Sequence, residues 1–327
     1  MLFSQQPRVR LLPEVITPLE KLSRLGAAWG HQELYIKRDD VMPLGMGGNK
    51  VRSCEFWFGE ALAANADLIL VAGGLPSNQC RLVAATACKL GLECHILHNA
   101  EEPATRSGNQ LLNQLMGVKQ LFLGLMDEEK RGAALADYAA SQRTLGRHPY
   151  IVGDPVVGAL GYVNAALEIH AQSELKGYNI SHIFIAGSMG PTEAGLLWGA
   201  ALLGNAFTVH TPSVEYPTLK LRELISGICL GISAKLGFTP AVDPLSRLVA
   251  WDSFLGEGYD IPTPESIAAV YQLASLEGVF IETTYNAKLF AAAKDKVTGG
   301  AFSPEDGVCL VHTGGLPALF AQGDRFS

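Results

Sequence analysis

One segment, residues 67–97, has the pattern of a strand, a helix and a second strand in succession. An apolar run over residues 67–72 leads into a loop of small residues, a helical pattern over 77–90 and another strand pattern over 93–97. Gly91 stands where a helix of this length would end on a left-handed residue. Two strands joined through a helix pair in parallel, in a sheet that helices cover on both faces. The segment therefore places the chain in the α/β class.

Strand and helix patterns alternate along the rest of the chain. We expect further strands at residues 34–37, 119–123, 150–152, 182–186, 207–211, 278–282 and 307–312. We expect further helices at residues 52–65, 111–116, 128–142, 163–173, 217–236 and 287–296, with a glycine-rich passage at 157–162. A length of 327 residues suits two domains. We predict a small domain of residues 51–160 and a large one of residues 1–50 plus 161–327, each with a mostly parallel sheet covered by helices.

Composition and charge exclude several classes of function. The net charge of −7, without a local cluster of lysine and arginine, argues against a nucleic-acid partner. No apolar run reaches the roughly 20 residues that cross a membrane, and the first ten residues lack the apolar core of a signal peptide. The six cysteines form no CxxC pair. We therefore expect a cytoplasmic protein with reduced cysteines and no metal site.

Ligands of open parallel sheets bind outside the carboxyl ends of the strands, which draws attention to the loops there. Lys50 directly follows Gly47, Gly48 and Asn49, and glycines allow the backbone to approach a ligand closely. Judged by residue types alone, however, this segment is more typical of a turn with a solvated lysine. The case for a ligand-binding lysine depends on the other loops.

Four more loops follow predicted strands, at residues 73–79, 187–193, 282–288 and 312–315. Ser77 lies at a predicted helix start, where free N–H groups bind a carboxylate, although an isolated Ser-Asn pair is more typical of a simple N-cap. The small residues of 187–193 suit a phosphate cradle or an ordinary turn. Thr313 is a candidate partner for a ring nitrogen or a carboxylate. Tyr285 suits either a site residue or a packing residue.

Taken together and in order, these loops are far more specific than any one of them. The motifs are Ile36-Lys37-Arg38-Asp39-Asp40, Gly47-Gly48-Asn49-Lys50, Ser77-Asn78-Gln79, Gly158-Ala159-Leu160-Gly161-Tyr162, Glu257-Gly258-Tyr259, Tyr285 and His312-Thr313-Gly314-Gly315. The ordered set, spread over residues 18–320, resembles the fold type II pyridoxal-phosphate enzymes, the tryptophan synthase β-like group. Within that group it resembles the D-cysteine desulfhydrase / 1-aminocyclopropane-1-carboxylate deaminase family.

The resemblance implies a role for each site residue. It implies pyridoxal 5′-phosphate as cofactor, joined to Lys50 as a Schiff base in the cleft between the domains. The implied catalytic residues are Lys50, Ser77, Tyr259 and Tyr285, one tyrosine acting as acid/base or as a tyrosinate. The implied cofactor-binding residues are Lys50, Asn49, Asn78, Gly187, Ser188, Met189, Gly190, Thr192, Asn286 and Thr313. The implied substrate-binding residues are Ser77, Asn78, Gln79, Tyr259 and Tyr285.

The implied reaction is β-elimination from a small amino acid to a 2-oxo acid and ammonia, with D-cysteine as the family's default substrate and a homodimer as its usual assembly. The alternatives are 1-aminocyclopropane-1-carboxylate deaminase, L-cysteate sulfo-lyase and, in another class, a non-catalytic cofactor-binding relative.

This sequence departs from the family pattern at several site positions. Met189 and Pro191 interrupt the phosphate loop, and Asn286 stands where the deaminases carry a glutamate facing the ring nitrogen. Gln79 matches the deaminases, whereas Pro76 matches neither group. These differences predict a substrate pocket unlike those of D-cysteine desulfhydrase and of 1-aminocyclopropane-1-carboxylate deaminase.

Overall fold

The computed structural model describes residues 5–12 and 16–326, and its strands form two sheets. The six-stranded sheet contains β1 (Leu19–Lys21), β2 (Leu34–Arg38), β7 (Ile180–Phe184), β8 (Thr208–Pro212), β9 (Leu248–Trp251) and β10 (Gly307–His312), in the order β1-β2-β10-β7-β8-β9. The four-stranded sheet contains β3 (Leu68–Ala72), β4 (Glu93–His98), β5 (Lys119–Phe122) and β6 (Pro149–Ile151), in the order β5-β4-β3-β6. Only the pairing of β1 with β2 is antiparallel among the described strands. The predicted α/β class with mostly parallel sheets is confirmed.

Helices connect these strands, as parallel pairing requires. They are α1 (Ser23–Trp29), α2 (Lys50–Ala63), α3 (Asn78–Leu90), α4 (Gly108–Leu115), α5 (Glu128–Thr144), α6 (Pro155–Lys176), α7 (Pro191–Leu202), α8 (Thr218–Leu236), α9 (Pro264–Glu277), α10 (Asn286–Thr298) and α11 (Leu316–Ala321). Short 3₁₀ turns occur at Asp39–Val41, Pro244–Arg247 and Gly323–Phe326. No helix among the described residues is long and apolar enough to cross a membrane. Of the N-terminal stretch considered above, residues 1–4 lie outside the described part.

A single large cluster of buried apolar side chains connects the two sheets. It extends from Val71 of β3 through Trp57 of α2 and Leu160 of α6 to Val311 of β10. The four-stranded sheet lies within residues 51–160, and the six-stranded sheet uses strands from outside that range. The domain division stays a prediction, and its boundary between residues 160 and 161 falls inside the continuous helix α6.

The glycine-rich passage at residues 157–162 is helical, where the sequence predicted a helix only from residue 163. Asp154 caps the helix by accepting hydrogen bonds from the N–H groups of the second and third residues of α6. A Cβ on Gly158 would lie 2.5 Å from the Trp57 ring, and one on Gly161 would lie 2.5 Å from the backbone of Arg52. These glycines therefore allow α6 to pack closely against α2, the helix that begins at Lys50.

The strand predicted at residues 278–282 is wrong. Strand β10, whose His312 contacts this segment, already pairs with β2 on one side and β7 on the other. A backbone group of the segment is instead hydrogen-bonded to a side chain, because the Phe280 carbonyl lies 2.9 Å from His312 Nε2. Its last residue, Glu282, accepts hydrogen bonds from the N–H groups of residues 284, 285 and 286 and so caps α10.

Candidate active site

The Lys50 loop touches two of the other predicted loops directly. The N–H of Asn49 donates to the carbonyl of Thr313 at 3.0 Å, and its side-chain amide donates to Thr192 Oγ1 at 3.2 Å. Gly314 has a φ of +94°, and a Cβ there would lie 2.5 Å from Gly48 Cα. Loops that are far apart in the sequence thus meet at the carboxyl ends of the strands, around Lys50.

Lys50, which is half-buried, differs from the buried Lys37 and Lys288 in having an amine without a hydrogen-bond partner among the described residues. Burial lowers the pKa of Lys37, Lys50 and Lys288. Lys37 donates to a backbone carbonyl, a carboxylate and an amide oxygen, and Lys288 donates to two backbone carbonyls. The Lys50 amine makes no hydrogen bond within the described residues; Glu193 acts on it only through Coulombic attraction. A desolvated, unbonded amine is the form that attacks a carbonyl.

A buried ionic cluster anchors the first turn of α2, in which Lys50 lies. Arg52 donates to both carboxylate oxygens of Asp39, at 2.8 and 2.9 Å, and to both of Glu168, at 2.8 and 3.0 Å. Tyr162 of α6 donates to Asp39 at 2.6 Å. Burial opposes ionisation of both carboxyls, but Arg52 outweighs it and holds the pKa of each below its usual value. The cluster ties α2 to the end of β2 and to α6.

Two carboxyl groups, of the buried Glu193 and the half-buried Glu215, hold both donors of Ser188 in the predicted phosphate loop. The N–H of Ser188 donates to Glu193 Oε1 at 2.9 Å, and its hydroxyl donates to Glu215. Burial raises the pKa of both carboxyls. A phosphate at this loop therefore depends on neighbouring backbone N–H groups. Sequence reasoning gave neither glutamate a role, and nothing in the sequence links Glu215 to this loop.

The rest of the phosphate loop leads into a helix N-terminus. Gly190, with φ of +95°, is the N-cap of the 12-residue helix α7. Pro191 is the first residue of α7, a position where a backbone N–H is not used within the helix. Pro191 thus fits the helix start, and the positive end of the helix dipole faces the loop.

Ser77 is an N-cap, the alternative left open by the sequence. Its Oγ accepts a hydrogen bond from the N–H of Cys80 at 3.2 Å, which leaves the hydroxyl proton available to a ligand. Asn78 begins α3, and its amide nitrogen lies 3.2 Å from the position that a Cβ on Gly315 would occupy. The amide nitrogen of Gln79 lies 3.8 Å from the equivalent position on Gly153. The start of α3 therefore faces the loop after β10.

The Asn286 side chain is fully engaged in holding loops together. Its oxygen accepts hydrogen bonds from the N–H and the hydroxyl of Thr313, at 3.0 and 3.2 Å. Its nitrogen donates to the Gly314 carbonyl at 2.8 Å and to Glu282 at 3.0 Å. No hydrogen of this amide remains for a ring nitrogen. The Thr313 hydroxyl, whose proton goes to Asn286, can only accept a hydrogen bond from a ligand.

Tyr259 and Tyr285 form a hydrogen-bonded pair with their hydroxyl oxygens 2.5 Å apart. Burial raises the pKa of both hydroxyls above its usual value, which favours the protonated form over a tyrosinate. Lys288 donates to the carbonyl of Gly258 and so fixes the loop that carries Tyr259. This supporting lysine was not predicted, because its partners are carbonyls distant in the sequence.

Comparison with known proteins decides the family. A family model described as pyridoxal-phosphate dependent enzyme matches residues 11–314. The chain belongs to the pyridoxal-phosphate dependent enzymes. The predicted cofactor is thereby confirmed, and the predicted family and lyase class are confirmed together with the curated relatives.

Curated relatives cover nearly the whole length of this pyridoxal-phosphate dependent enzyme. A D-cysteine desulfhydrase of Yersinia pestis (strain Pestoides F) is 38% identical over 97% of this chain and 96% of the relative. One from Serratia proteamaculans (strain 568) is 37% identical over the same shares. This extent of similarity supports an enzyme that eliminates a group from an amino acid.

Solved structures agree with the fold. A crystal structure described as an ACC deaminase homologue has a TM-score of 0.90 and 29% identity, covering 99% of this chain and 97% of that one. Threonine deaminase isoform 2 from Solanum lycopersicum has a TM-score of 0.68 at 15% identity, covering 95% of this chain and 82% of that one, and supports the fold alone. The roles of individual site residues stay predictions.

Proposed function

We propose that this enzyme is a D-cysteine desulfhydrase, which converts D-cysteine and one water to pyruvate, hydrogen sulfide and ammonia. The observation that carries the proposal is the free amine of Lys50 at the meeting point of the strand-end loops. The names of the curated relatives support the substrate.

The residues present fit pyridoxal 5′-phosphate. The unbonded amine of Lys50 would hold it covalently, and Asn49 would lie beside it between Thr192 and Thr313. The glycine-rich turn and the N-terminus of α7 would take the phosphate, although Ser188 is occupied. Asn78 would contact the phenolic oxygen. When bound, the cofactor's ring accepts the electrons released as a bond to the substrate α-carbon breaks.

The side chains around this position divide the remaining tasks. The N–H groups at the start of α3 bind the substrate carboxylate, assisted by the hydroxyl of Ser77 and the amide of Gln79. The Lys50 amine, kept neutral more readily by burial, accepts the α-proton. Tyr285, whose hydroxyl stays protonated and is aligned by Tyr259, donates a proton to the departing sulfur.

A second candidate activity is 1-aminocyclopropane-1-carboxylate deamination. The structural neighbour described as an ACC deaminase homologue, together with Gln79, favours it. The amide at position 286 weighs against it, because Asn286 carries no charge to stabilise a protonated ring. L-cysteate sulfo-lyase activity is a further alternative within the same elimination chemistry.

The test is a panel of substrates given to the purified holoenzyme. We expect D-cysteine to yield pyruvate and sulfide in equal amounts, with much lower rates for L-cysteine, L-cysteate and 1-aminocyclopropane-1-carboxylate. The Lys50→Ala variant is the matched control and should yield neither product. An enzyme that retains its cofactor but turns over another member of the panel, and not D-cysteine, would contradict the assignment.

We also propose that the enzyme acts as a homodimer in the cytoplasm. The six cysteines, all free and five of them buried, support a reducing compartment. Light scattering coupled to size exclusion tests the assembly, and a monomer at micromolar concentration would contradict it. Cell fractionation tests the compartment.

A further inference from the structure

A buried arginine without a counterion lies beside the Lys50 loop. Arg81, on α3, is fully buried, and no carboxylate of the described residues forms an ion pair with it. Its Nη2 donates to the carbonyl of Gly47 at 2.7 Å, its Nη1 donates to Asn109 Oδ1 at 3.1 Å, and its Nε has no partner in the described residues. Burial lowers the pKa of the guanidinium to about 10. An uncompensated buried cation is costly, so its contacts call for a functional explanation.

The contacts of Asn109 fix the orientation of its side-chain amide. A guanidinium only donates, so the atom of Asn109 that faces Arg81 is the oxygen. The carbonyl of Pro76 only accepts, so the atom that faces it, at 2.7 Å, is the nitrogen. The two requirements agree. Asn109 lies at the start of α4 and is only 2% exposed. The start of this helix packs tightly against α11, since a Cβ on Gly108 would lie 2.6 Å from the Pro317 carbonyl.

This orientation determines that of Asn78 in turn. The nitrogen of Asn109 also donates to Asn78 Oδ1, at 3.0 Å, so Asn78 presents its oxygen to Asn109. The nitrogen of Asn78 then faces the Gly315 side, toward the loop that carries Thr313. We propose that Asn109, oriented by Arg81, is a positioning residue that fixes Asn78 with its N–H₂ group toward the active site.

The inference deepens the proposed function, because it rests on the assignment of Asn78 to the cofactor's phenolic oxygen. A fixed amide that presents only donors stabilises an oxygen that carries negative charge. The Arg81 guanidinium, bonded to the Gly47 carbonyl in the Lys50 loop, adds positive charge near the same place. Asn109 thus acts through Asn78, without touching the ligand.

Asn109→Asp reverses the orientation while keeping the shape of the side chain. The new carboxylate gains Arg81 as a counterion but loses the hydrogen bond to the Pro76 carbonyl. The amide of Asn78 turns to donate to the carboxylate, which leaves the Asn78 oxygen toward the site. We expect a Tm close to that of the wild type, because the ion pair with Arg81 offsets the lost bond to Pro76. We also expect an altered absorption band of the bound cofactor and a kcat roughly 10- to 100-fold lower, the range found when an outer partner that orients a ligand-binding group is removed. Asn78→Asp, which also places an acceptor toward the site, should alter the band in the same direction.

Gln110→Glu is the matched control, because it makes the same change of charge on the next residue of α4. Gln110 donates to the Leu75 carbonyl at 2.9 Å and is not hydrogen-bonded to Asn78. We expect this variant to have a lower Tm with the wild-type absorption band. If Asn109→Asp does not fold, Asn109→Ala removes the donor to Asn78 without adding charge and should alter the band less.

The positioning role is overturned if the Asn109 variants fold, bind cofactor and keep the wild-type band, or if Gln110→Glu alters the band equally. Failure of the proposed function has a different signature. In that case the wild-type protein itself lacks a cofactor band that depends on Lys50.

Discussion

Replacing Arg52 with methionine tests how strongly the buried ionic cluster supports the Lys50 helix. The substitution keeps much of the side-chain length but removes the hydrogen bonds to Asp39 and Glu168, four contacts of 2.8–3.0 Å. It leaves Asp39, which is fully buried, without its main counterion. Removing one partner of a buried ion pair typically costs about 3–5 kcal/mol, and we expect a loss of that size at neutral pH.

The pH dependence of this loss follows from the shifted pKa of Asp39. In the wild-type protein that pKa is lowered, so the carboxyl contributes stability above its unfolded pKa and loses it as the pH falls through the folded pKa. Without Arg52, burial dominates and raises the pKa, so the contribution is instead lost as the pH rises. The difference in unfolding free energy should therefore be greatest near neutrality and shrink below about pH 4, where carboxyls protonate.

Urea denaturation of both proteins between acid and neutral pH measures this difference. Arg38→Met is the matched control, because Arg38 also makes two hydrogen bonds of 2.8 Å to an aspartate, Asp40, but nearer the surface. We expect the control to lose only about 1 kcal/mol, as partly exposed pairs do. A loss for Arg52→Met no larger than the control's, or one that stays constant with pH, would refute the reasoning.

Three shorter predictions concern the site. Ser77→Ala should cost about 0.5–2 kcal/mol by removing the cap of α3 and should also raise KM. Asp127→Ala, which uncaps α5, should lower stability alone. Gly314→Ala should cost about 1–3 kcal/mol of backbone strain at its positive φ and abolish cofactor absorption by pushing Gly48 aside; retained absorption would contradict this. Tyr285→Phe should lower kcat more than it changes KM, and wild-type kcat should show no fall from tyrosine ionisation below about pH 10, as a pH profile would reveal.

The α/β class could be predicted from the sequence, because alternating local patterns of strand and helix lead to parallel pairing. The apolar run before Gly73, the helix after Ser77 and the end at Gly91 each lie where residue types place them. The glycines of α6 led to a helix start predicted too late in the sequence. They are needed for close packing against α2, about 100 residues earlier in the chain. The predicted strand at residues 278–282 was wrong for a similar reason. A short apolar run does not reveal whether a neighbouring strand has a free edge with which it could pair.

The candidate site was predictable as a set of loops but not as a network of contacts. The order of motifs led to Lys50, Asn78 and Thr313, which the structure brings into one place. Glu215 and Asn109 were missed, because their hydrogen-bond partners lie about 30 residues away in the sequence, in other loops and helices. Such partners are determined by the folded arrangement, and no local spacing marks them.

The central claim is that Lys50 is the lysine to which the cofactor is attached. Borohydride reduction of the holoenzyme, followed by mass spectrometry of its peptides, locates that attachment directly. We expect the modification on the peptide that contains Lys50, and none on Lys37 or Lys288, whose amines are held by hydrogen bonds. A modified Lys37 or Lys288 in protein with an unmodified Lys50 would contradict the account.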